Sequence, residues 1–139
     1  MADLGDVARL VAGEHGLSVV STLRGDGTIQ SSVVNAGVLA ASGEVGFVVR
    51  GGARKLAYLR ERPTVTLVVR VGWEWVAVEG TARLVGPDDP AEGVDVRLLL
   101  REIFTAAGGT HDDFDEFDRV MRAERRTAVL VAPSRVYSN

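Results

Sequence analysis

Few stretches of this chain hold residues whose types and spacing could do chemistry. The clearest is Arg50-Gly51-Gly52-Ala53-Arg54-Lys55. Glycines let backbone N–H groups approach a ligand closely, and a helix N-terminus carries partial positive charge. Two cations beside that terminus would complete a cradle for phosphate. The plainer alternative is a tight turn followed by an exposed basic helix. A second group, Gln30, Ser32 and Asn35, offers amide and hydroxyl donors along a strand. A third, Trp73 and Trp75, places two indoles two residues apart, an apolar wall suited to a flat ring or to a partner subunit. Core packing is the alternative there. Taken together, the three groups are what a phosphorylated planar cofactor needs, and no side chain stands out as an independent catalyst.

Other chemistries find little support. His15 and His111 are the only histidines, and neither has a second ligand at metal spacing. The acidic run His111–Asp118 lacks the sixth-position glycine and terminal Glu of a calcium loop. Its interleaved phenylalanines suit a helix with one buried face and a solvated acidic back. No Walker loop, nucleophile elbow or spaced carboxylate pair is present. With no cysteine, disulfides and thiolate catalysis are excluded. A net charge of -3 argues against a general nucleic-acid binder. No apolar run approaches the roughly 18–20 residues of a membrane span, and Asp3 and Asp6 stand where a signal peptide is basic, so a cytoplasmic protein is expected.

These groups must be positioned by elements that the pattern suggests. Leu4, Val7, Ala8 and Val11 recur at helical spacing, predicting a helix over 3–14. Strands follow at 17–23, 28–39 and 44–50, the first two joined by the turn Arg24–Gly27. The helix at 53–62 stops before Pro63. Further strands are expected at 64–71 and 73–85, with Gly80 marking a bulge or a close approach. Val96, Leu99, Leu100 and Ile103 line one face of a helix. Thr110 with Asp113 reads as a capping box for another, carrying Phe114, Phe117, Val120 and Met121. A sixth strand closes the chain, with Pro133 at an edge or bulge. Six such strands with short helices predict a single mainly β domain spanning 1–139: a small antiparallel barrel, or else an open sheet with helices on one face. A barrel this small puts any ligand outside it or between subunits.

The order of "TLRGDGTIQSSVVN", "VGFVVRGGARKLAYLRERPTVTLVV", "WEWVAVEGTARLV" and "RRTAVLVAPSRVYSN" resembles the split β-barrel flavin-reductase-like superfamily, whose founder is pyridoxamine 5′-phosphate oxidase. Within it, the chain is most similar to the deazaflavin (coenzyme F-420)-dependent reductases of the small B type. The resemblance covers nearly the whole chain. It implies a six-stranded split barrel and a homodimer with cofactor grooves at the subunit interface. It also implies a phosphate-binding pair at Arg54 and Lys55, beside Arg50, Gly51 and Gly52. Gln30, Ser32 and Asn35 would lie against the ring, with Trp73 and Trp75 as interface aromatics. The helix before the last strand, and that strand itself, would contribute from the partner. The oxidase branch carries a strand-two arginine where this chain has "SSVVN", and it has a C-terminal substrate segment that is missing here. Both departures argue against vitamin B6 oxidation. The implied activity is hydride transfer from reduced F-420 to a small unsaturated substrate. FMN in the same pocket, or a non-catalytic cofactor-binding dimer, are the alternatives.

Overall fold

The computed structural model describes residues 1–139. Its elements are α1 (Leu4–Val11), β1 (Leu17–Leu23), β2 (Ile29–Leu39), β3 (Glu44–Val49), α2 (Arg54–Glu61), β4 (Thr64–Val71), β5 (Glu74–Val85), α3 (Val96–Ala106), α4 (Phe114–Ala123) and β6 (Thr127–Tyr137). All strand pairs are antiparallel, and they close in the order β1-β2-β3-β6-β5-β4. The closed barrel, not the open sheet, is therefore what the alternating pattern builds. No helix is long and apolar enough to cross a membrane.

Inward residues of every strand fill the barrel, among them Val20, Phe47, Leu67, Val78 and Val131. Two helices plug its ends. At one end α1 inserts Val7, Leu10 and Val11, and at the other α2 inserts Leu56 and Leu59. Asp3 and Asp6 form a reciprocal capping box that starts α1. This helix is shorter than the periodicity suggests, stopping at Val11, and the chain then winds through a turn to Gly16. Helices α3 and α4 form a second layer outside β3 and β6, where Ile103, Phe117, Ala128 and Leu130 share a core. The acidic back of α4 is not wholly solvated. Asp118 is buried and accepts from Arg101 Nε at 2.9 Å, which ties α4 to α3. The cap of α4 is Asp113, whose side chain accepts from the Glu116 N–H. The Thr110 capping box does not form, because the helix begins one turn later than that pairing requires.

Two features of the ladders shape the site. Ile29–Asn35 of β2 pair with β1 alone, because the β2–β3 ladder covers only Ala36–Leu39. The barrel is thus split beside the first half of β2, next to the β3–α2 connection. Second, the β5–β6 register shifts between Glu79 and Gly80, where Ser134 is the extra residue and Pro133 sits opposite Gly80. Helices cover the β2–β3–β6 side, while the outer face of β2, β1, β4 and β5 stays bare. Its central row is Val33, Val19 and Val68, each opposite the next, with Ala77 buried beyond them.

Candidate functional site

Most of the candidate residues lie on the two segments that border the split, β2 and the β3–α2 connection. Strand β3 ends at Val49, Arg50 follows, and Gly51 and Gly52 turn the chain into α2. Gly52 has φ +85, a conformation that costs glycine nothing, and its missing Cβ would meet no atom. Gly51 serves a different purpose. Its N–H donates to Glu124 O at 3.1 Å, and the α4–β6 turn packs directly on its Cα. The close approach inferred for that glycine is made by the chain itself. Arg50 lies 3.9 Å from Glu124.

Helix α2 opens without a side-chain cap, as Ala53 occupies the N-cap position. The N–H groups of Arg54 and Lys55 therefore keep their donors, and no acidic residue lies in the first turn. Neither side chain has an ion-pair partner, whereas most arginines of this chain do. Lys55 is also the only lysine among sixteen basic residues. It is half-buried, and partial desolvation holds its ammonium below the ordinary lysine range. A desolvated cation without a counter-charge, beside free helix N–H groups, suits an anion.

Strand β2 forms the other edge of the split. Strand alternation separates the three residues grouped there by type: Gln30 and Ser32 share the inward side of Val34, and Asn35 points outward. Gln30 accepts weakly from Thr22 at 3.4 Å. Ser32 Oγ is the buried side-chain oxygen left without a hydrogen-bond partner. Such an orphan normally marks a missing polar partner. Asn35 donates to His15 O at 2.9 Å, which commits one of its N–H groups to the α1–β1 turn.

The tryptophans lie elsewhere. Trp73 is not in a strand: Gly72 (φ +61) and Trp73 form the two-residue β4–β5 hairpin turn, leaving the indole fully exposed. Glycine at the first turn position draws the hairpin in one residue earlier than alternation implies. Trp75 is in β5, edge-on to Tyr137 with ring centroids 6.3 Å apart. The expected shared indole wall therefore does not form. Along the outer face Trp75 pairs with Arg70, and Arg70 is followed by Leu17 and Asn35. Three strand spacings, about 14 Å, separate the Trp75 and Asn35 backbones. One chain cannot bring the indoles onto a ring held at its own split. The bulge expected at Gly80 and Pro133 lies there and turns Tyr137 outward, where it donates to Glu79 at 2.7 Å, a surface group the sequence reading did not single out.

The residues at the split fit a phosphate-bearing group: two free cations, uncapped helix N–H groups and an orphaned hydroxyl. Comparison with known proteins places the fold in a family. Residues 6–139 match the family described as pyridoxamine 5′-phosphate oxidase. Among solved structures, a conserved hypothetical protein of Mycobacterium tuberculosis shares 18% identity over 98% of this chain and 83% of its own, with a TM-score of 0.72. An F-420 reductase shares 15% over 91% and 93%, TM-score 0.65. A pyridoxamine 5′-phosphate oxidase-related, FMN-binding protein of Nostoc punctiforme shares 11% over 96% and 80%, TM-score 0.66. At such identities the likeness is one of fold. With the family match spanning almost every residue and the six-stranded split barrel beneath it, this chain belongs to the pyridoxamine 5′-phosphate oxidase family.

Proposed function

We propose that this protein is an oxidoreductase that uses reduced coenzyme F-420 to transfer a hydride to a small unsaturated organic substrate. The observation that carries the reading is the Arg54–Lys55 pair, free of counter-charges on an uncapped helix at the split. These two residues would hold the cofactor phosphate, with Arg50, Gly51 and Gly52 shaping the approach. Gln30 and Ser32 would meet its polar groups at the edge of β2, and Asn35 would sit further along that strand. When bound, the deazaflavin supplies a hydride donor whose ring carbon replaces the flavin nitrogen. The chain then needs only to align donor and acceptor, with solvent able to provide the proton.

The protein acts as a homodimer in this reading. Trp73 and Trp75 are too far from the split of their own chain, so they would cover the cofactor of a second copy. The bare row Val33–Val19–Val68 supplies the apolar surface for that pairing. A cytoplasmic location accords with an enzyme of this kind.

FMN is the alternative cofactor. Against it stands β2, which presents no cation to the split between Gln30 and Asn35, leaving Arg54 and Lys55 to meet a phosphate alone. Side-by-side fluorescence titration of the apoprotein with F-420 and FMN separates the readings. Tighter F-420 binding supports the proposal, and tighter FMN binding replaces it with an FMN-dependent oxidoreductase. Failure of both to bind removes the site. A bound F-420 that, once reduced, is never oxidised by enones or quinones would mark a non-catalytic binder.

A further inference from the structure

We propose that the cleft between the β5–α3 connection and one face of α3 and α4 binds a short aliphatic carboxylate. The inference stands apart from the cofactor reading, since no residue of β2, β3 or α2 lines this cleft. Its cavity measures about 330 Å³, at the lower end of small-molecule sites. Leu100 and Met121 wall it from the two helices, and Pro90, Ala91 and Val94 from the connection. Val94 is an apolar side chain left 38% exposed along it. The wall formed by the connection is held in place. Gly86 and Asp89 exchange backbone hydrogen bonds at 3.0 and 3.1 Å, Asp89 binds Arg60, and Asp88 binds Arg125. Such anchoring lowers the ordering cost of binding.

Three arginines line the same cavity, Arg97, Arg122 and Arg126. Arg126 pairs with Glu124 at 2.9 Å, and Arg97 lies 3.5 Å from Asp95 and 3.6 Å from Asp118. Arg122 has no carboxylate partner. Asp118 also lines the cavity, but its carboxylate is buried and already accepts from Arg101, which lies outside the lining. An excess of positive charge remains, and a planar guanidinium fork matches a carboxylate. The uncharged lining decides what that carboxylate is attached to. No aromatic side chain is there to stack a ring, and no hydroxyl or amide side chain to meet a sugar. What remains is aliphatic surface, so the complement is an alkyl chain ending in a carboxylate.

The test is amide NMR of the full chain titrated separately with hexanoate, hexanol and inorganic phosphate. Hexanoate should give saturable shifts at roughly millimolar concentration. They should map to residues 86–100 and 118–126, with hexanol shifting the same residues more weakly. Arg122→Gln should weaken hexanoate about five- to tenfold and leave hexanol within about twofold, as loss of one charge-assisted bond requires. Ala91→Phe should weaken both probes at least about tenfold by filling the cavity. Val94→Asp sets a carboxylate at an exposed position, should weaken hexanoate more than hexanol, and decides the matter if Ala91→Phe does not fold. Absent saturable hexanoate binding, shifts that map elsewhere, equal effects of Arg122→Gln on both probes, or tighter binding of inorganic phosphate at these residues would each overturn the assignment. Lys55→Ala should leave hexanoate affinity unchanged, which keeps this outcome separate from that of the Arg54–Lys55 site.

Discussion

A Cβ on Gly51 would stand 2.7 Å from both the Cβ and the carbonyl oxygen of Arg125, so the turn before β6 closes on bare backbone at the β3–α2 connection. The contact couples two loops far apart in sequence. Arg125 itself has φ 51, and its guanidinium reaches Asp88 at 2.6 Å, so the turn has little freedom to retreat.

Gly51→Ala should therefore destabilise the fold by about 1–3 kcal/mol, as overpacking does. It should also weaken cofactor binding by displacing the start of α2. Gly52→Ala meets no atom and should cost about 1 kcal/mol through its positive φ. Urea unfolding and cofactor titration of the two variants would check the contrast. Equal effects would mean that the Arg125 contact yields freely.

Lys55→Ala should weaken F-420 binding about ten- to a hundredfold, since charge-assisted hydrogen bonds are worth roughly 1.5–3 kcal/mol. Arg54→Ala should act in the same direction. Wild-type affinity in Lys55→Ala would place the phosphate elsewhere.

The alkaline behaviour of Lys55 has a definite sign. Its ammonium is held below the ordinary value of 10.5 by desolvation, so the unfolded chain binds the proton more strongly than the free folded site does. Protonation of Lys55 thus opposes folding, and that penalty shrinks as pH rises from the lowered folded value and is gone above the ordinary 10.5. Phosphate reverses the preference by favouring the ammonium. Cofactor affinity should accordingly fall as pH climbs through the lowered lysine value, and Lys55→Ala should flatten that limb. Titrations across the alkaline range, with and without the substitution, would read it.

Val33→Glu puts a carboxylate in the middle of the bare row, where Val33 is 63% exposed in the single chain. Sedimentation should give a dimer at micromolar wild-type protein and a monomer for the variant, with cofactor affinity reduced in parallel. A wild-type protein that sediments as a monomer at every concentration would leave that face without the partner assigned to it.

Asp118 is held below the ordinary carboxylate range, chiefly by its hydrogen bond to Arg101. Its contribution is present above the unfolded value of 3.8 and is lost as pH falls through the lowered folded value. Asp118→Asn should lower Tm at neutral pH and lessen the acid sensitivity of the fold. Thermal melts from pH 2 to 7 would compare the two.

The barrel was legible because period-two alternation is strong in β4 and β5 and each β-hairpin turn carries its own glycine. Helix ends were less so, since whether Asp113 or Thr110 caps α4 depends on how Phe114 and Phe117 seat against α3. The Arg54–Lys55 pair could be read from local order alone: strand, glycines, helix. Grouping it with Trp73 and Trp75 required knowing which residues lie at which end of the barrel, and single-strand patterns do not carry that information. The burial of Asp118 was equally hidden, because its partner Arg101 lies on another helix.

The extra residue Ser134 sets the phase of the last strand. Before it, Val129 and Val131 point into the barrel. After it the odd positions face out, so Val136 turns inward opposite Val78, and Tyr137 emerges beside Ala77. The hydroxyl of Ser134 donates to Glu79 O at 3.1 Å, and the Glu79 side chain accepts from Tyr137, so one residue of β5 holds both sides of the slip. Were Ser134 instead taken into the ladder opposite Glu79, β6 would run in a single phase, driving the Tyr137 phenol into the barrel and setting Val136 on the rim beside Trp75. A one-residue slip in pairing there would exchange what the barrel contains for what it offers to a partner.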